Sequence, residues 1–138
     1  MITSNVTTES AALTAAQKAS ARAELGRFFQ LPDPVDTEQY KMFSGAIDAV
    51  WHDLLADREA YDRFLAEASI PERFGHEPGE GFGVIQWVNE YHEQFGRLDA
   101  IWFTDAKGQL DRATYDTYLT TKTVVVAWNC GVIKPTMD

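Results

Sequence analysis

The chain has one cysteine, Cys130, and three histidines in 138 residues. A lone cysteine cannot close an internal disulfide, so nothing covalent staples the fold, which fits a reducing compartment. Apolar runs are short. None approaches the roughly 18 to 20 residues that a bilayer-spanning helix needs, and the N-terminus lacks the basic and apolar blocks of a secretory signal. The expectation is a cytoplasmic chain with no membrane partner. Positive charge is scarce too, with 12 Lys and Arg against 21 Asp and Glu, a net charge of −9 and a pI near 4.7. The cations are scattered singly, so the chain repels phosphate backbones and nucleic acid is a poor partner. Short chemical motifs are missing as well. There is no G-x-G-x-x-G and no lysine-bearing P-loop, and no H-x-x-x-H, C-x-x-C or E-x-x-H sets metal ligands on one helix face.

What is present suits one ordinary core. A chain of this length fits a single domain that needs no metal or disulfide to hold it. Its 12% aromatic content points to a core built on rings. Residues 1–8 are Thr, Ser and Asn with little to bury and read as a flexible tail, leaving 9–138 as the globular domain. From Glu9 the alanine-rich segment predicts a helix with high propensity but small side chains, docked mainly through Leu25, Phe28, Phe29 and Leu31 and ended by Pro32 and Pro34. Tyr40, Phe43, Ile47, Val50, Trp51 and Leu54 carry the strongest helical spacing in the chain. Asp57 is placed to cap a following helix that turns Tyr61, Phe64, Leu65 and Ala68 inward before Pro71.

The stretch Gly75-His-Glu-Pro-Gly-Glu-Gly-Phe-Gly83 holds several glycines and a proline and reads as a loop facing a ligand or packed tightly. Val84, Trp87, Val88, Tyr91 and Phe95 predict a third core helix ended by Gly96, with His92 at the edge of its apolar face. Residues 100–104 are β-branched and aromatic and read as a strand entering a turn at Asp105–Gly108, and Asp111 can cap a short helix. Thr123–Trp128 is the clearest strand, expected to pair antiparallel with 100–104. The fold class is α+β: a predominantly helical single domain of four or five helices with a small C-terminal antiparallel β-sheet.

Imidazole and thiolate bind borderline metals near neutral pH, so a metal site would have to be assembled from His52, His76 and His92 by the tertiary fold. Cys130, next to Gly131 at a strand end, is a candidate nucleophile and equally a small core residue. Glu77 and Glu80 form a carboxylate pair that solvent alone explains. His52 follows the core position Trp51 and should lie half buried at the edge of the apolar stripe.

The segments Val50-Trp51-His52, Tyr61-x-x-Phe64 and His76-x-Pro78 together resemble the short signature of bacterial proteins related to the plant glycine-rich-domain proteins. The resemblance covers roughly residues 46–78. It implies that His52 and His76 converge. This chain departs from the family in carrying Leu65 where a cysteine usually follows the Phe, and in lacking the glycine-rich tail, so a thiolate contribution there is missing. The first functional reading is a small acidic binding or accessory protein that takes a protein partner or small molecule around His52, His76, Glu77, Glu80 and Trp51. The alternative is an enzyme dependent on a divalent metal held by His52, His76 and His92. A third is an immunity or antitoxin-like inhibitor.

The helix phase is testable in denaturant melts. Trp51→Ala should cost about 3 to 5 kcal/mol as a large buried ring is removed, and His52→Ala far less. Equal losses would show that the helix phase is wrong.

Overall fold

Ser44, Asp57 and Asp111 each stop the chain in a non-helical conformation and offer a side-chain oxygen to a free helical N–H, and a helix starts at each of them. The computed structural model describes residues 13–31, 41–70 and 75–133, with backbone alone for 75–80 and 129–133. The predicted tail therefore lies outside the described residues, as do Tyr40 and the prolines at 32, 34 and 71. The described elements are α1 (Ala15–Phe29), β1 (Lys41–Met42), α2 (Gly45–Ala56), α3 (Arg58–Glu67), β2 (Gly75–Val84), α4 (Val88–Phe95), a 3-10 turn (Ala100–Phe103), α5 (Arg112–Thr121) and β3 (Val125–Ile133). This is the expected α+β class.

Helix α1 begins later than the alanine content suggests. Thr14 is its N-cap and forms a reciprocal capping box with Gln17, so residues 13 and 14 lie outside it. Its early turns are also better anchored than small methyl groups imply. Ala21 is fully buried, and Gln17 Nε2 donates to the Gly108 carbonyl at 3.0 Å. Leu25, Phe28 and Phe29 dock as expected. Helix α2 starts at Gly45 rather than before Phe43. Ser44 Oγ accepts from Ile47 N–H at 3.1 Å and donates to the Ile101 carbonyl at 2.9 Å, which pins the start of α2 to the 3-10 turn.

The core is a ring cluster. Trp87 and Trp102 lie 4.8 Å apart by centroids, with Phe28 4.9 Å from Trp87 and Phe43 5.2 Å from Trp102. Trp51 packs beside them on Phe29 at 5.5 Å. Within this apolar mass sits one acid, Glu24, only 5% exposed. Tyr91 O–H donates a short hydrogen bond to Glu24 Oε1, and Trp102 Nε1 donates to the same oxygen at 2.9 Å. Arg27 meets Oε2 at 3.4 Å. Burial, and then the hydrogen bond to this carboxylate, push the Tyr91 phenol well above its ordinary range.

The sheet has the order β1-β3-β2 and is antiparallel throughout. β3 is the predicted strand, extended at its C-terminal end, but its partners differ from expectation. Residues 100–103 form a 3-10 turn, and Thr104 alone bridges to Leu110 across the Asp105–Gly108 turn. Asp99 at its N-cap accepts from Ile101 N–H at 2.8 Å and starts the turn. The partner of β3 is instead the glycine-rich stretch read as a loop. Pro78 pairs opposite Cys130 and Gly81 opposite Trp128, so two residues of β2 face one of β3 in a bulge. That places the irregularity directly after the proline, which has no N–H for a ladder. Val84 is the last residue of β2 and half exposed, not part of α4.

The Glu24 network yields a stability test. Tyr91→Phe keeps the ring and removes one donor from a buried carboxylate, so denaturant melts should show a loss of about 1 to 3 kcal/mol. An unchanged midpoint would mean that Glu24 does not depend on the tyrosine.

Candidate binding groove

The structure does not bring the sequence-predicted site together from its described side chains. Trp51 is fully buried among the core rings, because the helical stripe it belongs to faces inward. His52 is more exposed than expected: its side chain is 56% accessible, and its Nε2 lies 3.4 Å from Asp48 Oδ2 one turn earlier on α2. The residue next to a stripe already five residues wide points to solvent. His76 stands opposite Val132 and Glu77 opposite Gly131 in the ladder. The side chains of His76, Glu77, Glu80 and Cys130 lie outside the described residues.

His92 occupies the predicted edge position on α4. It is half buried, with Nε2 2.6 Å from the Tyr118 hydroxyl. Tyr118 O already accepts from Leu98 N–H at 2.8 Å, and the buried hydroxyl has one acceptor to donate to among the described residues, the imidazole. This assigns the neutral ring proton to Nδ1. Burial, and then the Lys122 ammonium, hold the imidazole below its ordinary value. His52 and His92 therefore serve different neighbourhoods. Among the described residues no three His, Cys, Asp or Glu side chains are grouped to hold a metal ion.

A different feature emerges from the sheet. β1 ends at Met42 and the chain turns into α2, so β1 meets β3 only at Gly131 and Cys130. From Trp128 back to Val125, β3 has a strand neighbour on one side alone among the described residues. Two adjoining clefts of about 900 and 590 Å³ run there, sharing Phe43, Gly45, Phe82 and Ala127 as walls. One wall is Phe43 to Gly45 with residues 104–106, and the other is Val125 to Trp128.

The groove combines apolar surface with negative charge. Phe82 is 72% exposed, and Trp128 lies half buried across Gly81. The charged lining residues are Asp48, Asp105 and Asp111, and no Lys or Arg is among the described residues that line it. Lys41, just before the groove wall, is held over the Trp128 ring at 5.6 Å. Each aspartate also has a local task. Asp105 Oδ1 accepts from Lys107 and Gln109 N–H, both at 2.9 Å. Asp111 caps α5, and the Thr114 hydroxyl and N–H hold its carboxyl below the usual range. Sequence reading missed the groove because Phe82 stood in an apparent loop and Trp128 in an apparent core strand. Glycine at every second position, 79, 81 and 83, was the available strand signal.

No protein-family model, curated protein or solved structure matches this chain. Functional roles therefore rest on geometry alone.

A Cβ placed on Gly81 would lie 2.5 Å from the Trp128 ring, closer than any real contact. Gly81→Ala should therefore displace the indole and cost about 1 to 3 kcal/mol. The displacement is read as a change in tryptophan emission before unfolding. Unchanged emission and stability would show that the ring does not rest on this glycine.

Proposed function

We propose that this chain is a small acidic binding protein whose groove beside β3 takes an extended, positively charged and partly apolar segment of a partner protein. The observation that carries this reading is the open strand position along β3 next to three aspartates and an exposed phenylalanine. An extended segment laid there would satisfy backbone groups of β3 in the way that added strands do in other recognition modes. Phe82 and Trp128 would receive its apolar side chains, and the aspartates its Lys or Arg. The overall charge of −9 would raise the encounter rate with a basic partner. An inhibitor that covers a basic surface is one form of the same reading.

The reading is tested with immobilised protein and extract of its own cells, comparing wild type with Phe82→Ser and Asp48→Asn. Both side chains lie on the groove, and the asparagine keeps the size of the aspartate. The expected result is a protein retained by wild type, released by moderate salt, and bound at least about tenfold more weakly by each variant, a loss of about 1.4 kcal/mol. A partner held equally by all three proteins would overturn the groove as its binding surface.

A further inference from the structure

Away from the groove, and sharing no lining residue with it, a cavity of about 440 Å³ lies between the end of α4 and the end of α5. Its walls are His92, Gly96, Arg97, Tyr118, Leu119 and Lys122. In a chain of net charge −9, this lining has two cations, an imidazole and a phenol, and no carboxylate.

The local fold explains why these groups converge. Gly96 closes α4 with φ of 89°, its N–H bonded to the His92 carbonyl at 3.1 Å. That positive φ turns the chain so that Arg97 emerges beside the helix end instead of continuing it. Lys122 closes α5 in the left-handed conformation, φ 61°, with its N–H on the Tyr118 carbonyl. Tyr118 joins the two ends: its oxygen takes Leu98 N–H from the segment after α4, and its O–H is given to His92 on α4. Lys122 stands close enough to His92, and Arg97 to Tyr118, for each charge to act on its neighbour's titration.

Helix ends offer one reason for cations here, since each C-terminus carries roughly half a negative charge. Two such ends sum to about one negative charge, and Arg97 with Lys122 supply two positive ones, leaving an excess of about one. Neither cation forms an ion pair with a described carboxylate, and Glu93, exposed on the same helix as His92, pairs with neither. A volume of this size is in the range of small-molecule sites.

We propose that this cavity is an anion site, holding the phosphate or carboxylate group of a small molecule between Arg97 and Lys122, with the His92–Tyr118 pair as its floor. Leu119, partly exposed at its edge, gives the body of such a ligand an apolar contact. The site is independent of the partner groove, so either can fail without the other.

The test is a titration of the whole chain followed by backbone amide shifts, with inorganic phosphate and with acetate, at an ionic strength held constant with sodium chloride. Saturable movement confined to Gly96–Leu98 and Tyr118–Lys122 is expected with at least one of the two anions, and the one that saturates identifies the oxyanion class. Arg97→Gln with Lys122→Gln should weaken it by about tenfold or more. Both side chains are exposed, so the fold should persist. Lys122→Arg, which keeps the charge, should retain binding, and Arg112→Gln, at the other end of α5, should leave it unchanged. Movement that never saturates, or that chloride reproduces, overturns the proposal. So does saturable binding that survives loss of both cations.

Discussion

A carboxylate inside an aromatic core is the constraint on which the rest of this structure depends. Glu24 comes from α1, and the groups that satisfy it come from α4 and from the 3-10 turn: the Tyr91 hydroxyl and the Trp102 indole N–H. Burying an unpaired carboxylate would cost several kcal/mol, so these three elements hold their relative positions or the core does not close. The same indole lies within the ring cluster of Trp87, Phe28 and Phe43. Polar satisfaction and ring packing therefore select the same arrangement, and the start of α2 inherits it through Ser44, bonded to Ile101 of the turn. Because α2 starts there, the chain leaves β1 after two residues, and the groove beside β3 is the space that departure creates.

Much of this was legible in the sequence, for local reasons. The caps at Asp57 and Asp111, the stop at Gly96, the inward stripe of α2 and the strand after Thr123 each depend on a few neighbouring residues. Two segments were misread, and both obey tertiary rules. Residues 100–103 have strand-like side chains, but Asp99 supplies a cap and the ring cluster takes Trp102, so a tight turn wins over intrinsic preference. The glycines of β2 look like a loop because glycine frees the backbone. Here the absence of a side chain at Gly81 is what lets Trp128 lie across the strand. Glu24 went unnoticed because an acid in an alanine-rich helix is ordinarily a solvated one. Nothing local marks the turn on which it faces two distant donors.

For the candidate sites the same division applies. His92 lies where the helix phase put it, Trp51 is enclosed among the core rings, and His52 is more exposed than its place beside the apolar stripe suggests. The acidic groove and the cationic cavity could not be found by motif. Asp48 is far in sequence from Asp105 and Asp111, as Arg97 is from Lys122, and tertiary structure brings each group together.

The aspartates of the groove carry a double duty that shapes how the site can be dissected. Asp111 caps α5, so replacing it with alanine would remove about 0.5 to 2 kcal/mol of helix stability together with any contact to a cation. Asp105 holds the turn that forms one wall, through two N–H groups that an apolar residue would leave unmet. Asp48, its side chain 25% accessible, sits in the first turn of α2, where a negative charge favours the helix by about 0.3 to 1 kcal/mol, and its Oδ2 lies 3.4 Å from His52 Nε2. The cost to the fold is therefore graded from Asp111 and Asp105 down to Asp48, while the electrostatic attraction for a basic segment should be comparable for all three. A loss of binding that followed the charge rather than the fold would be clearest at Asp48. Phe82 completes the separation: 72% exposed, it contributes little to folding, so its contribution to binding can be read almost alone.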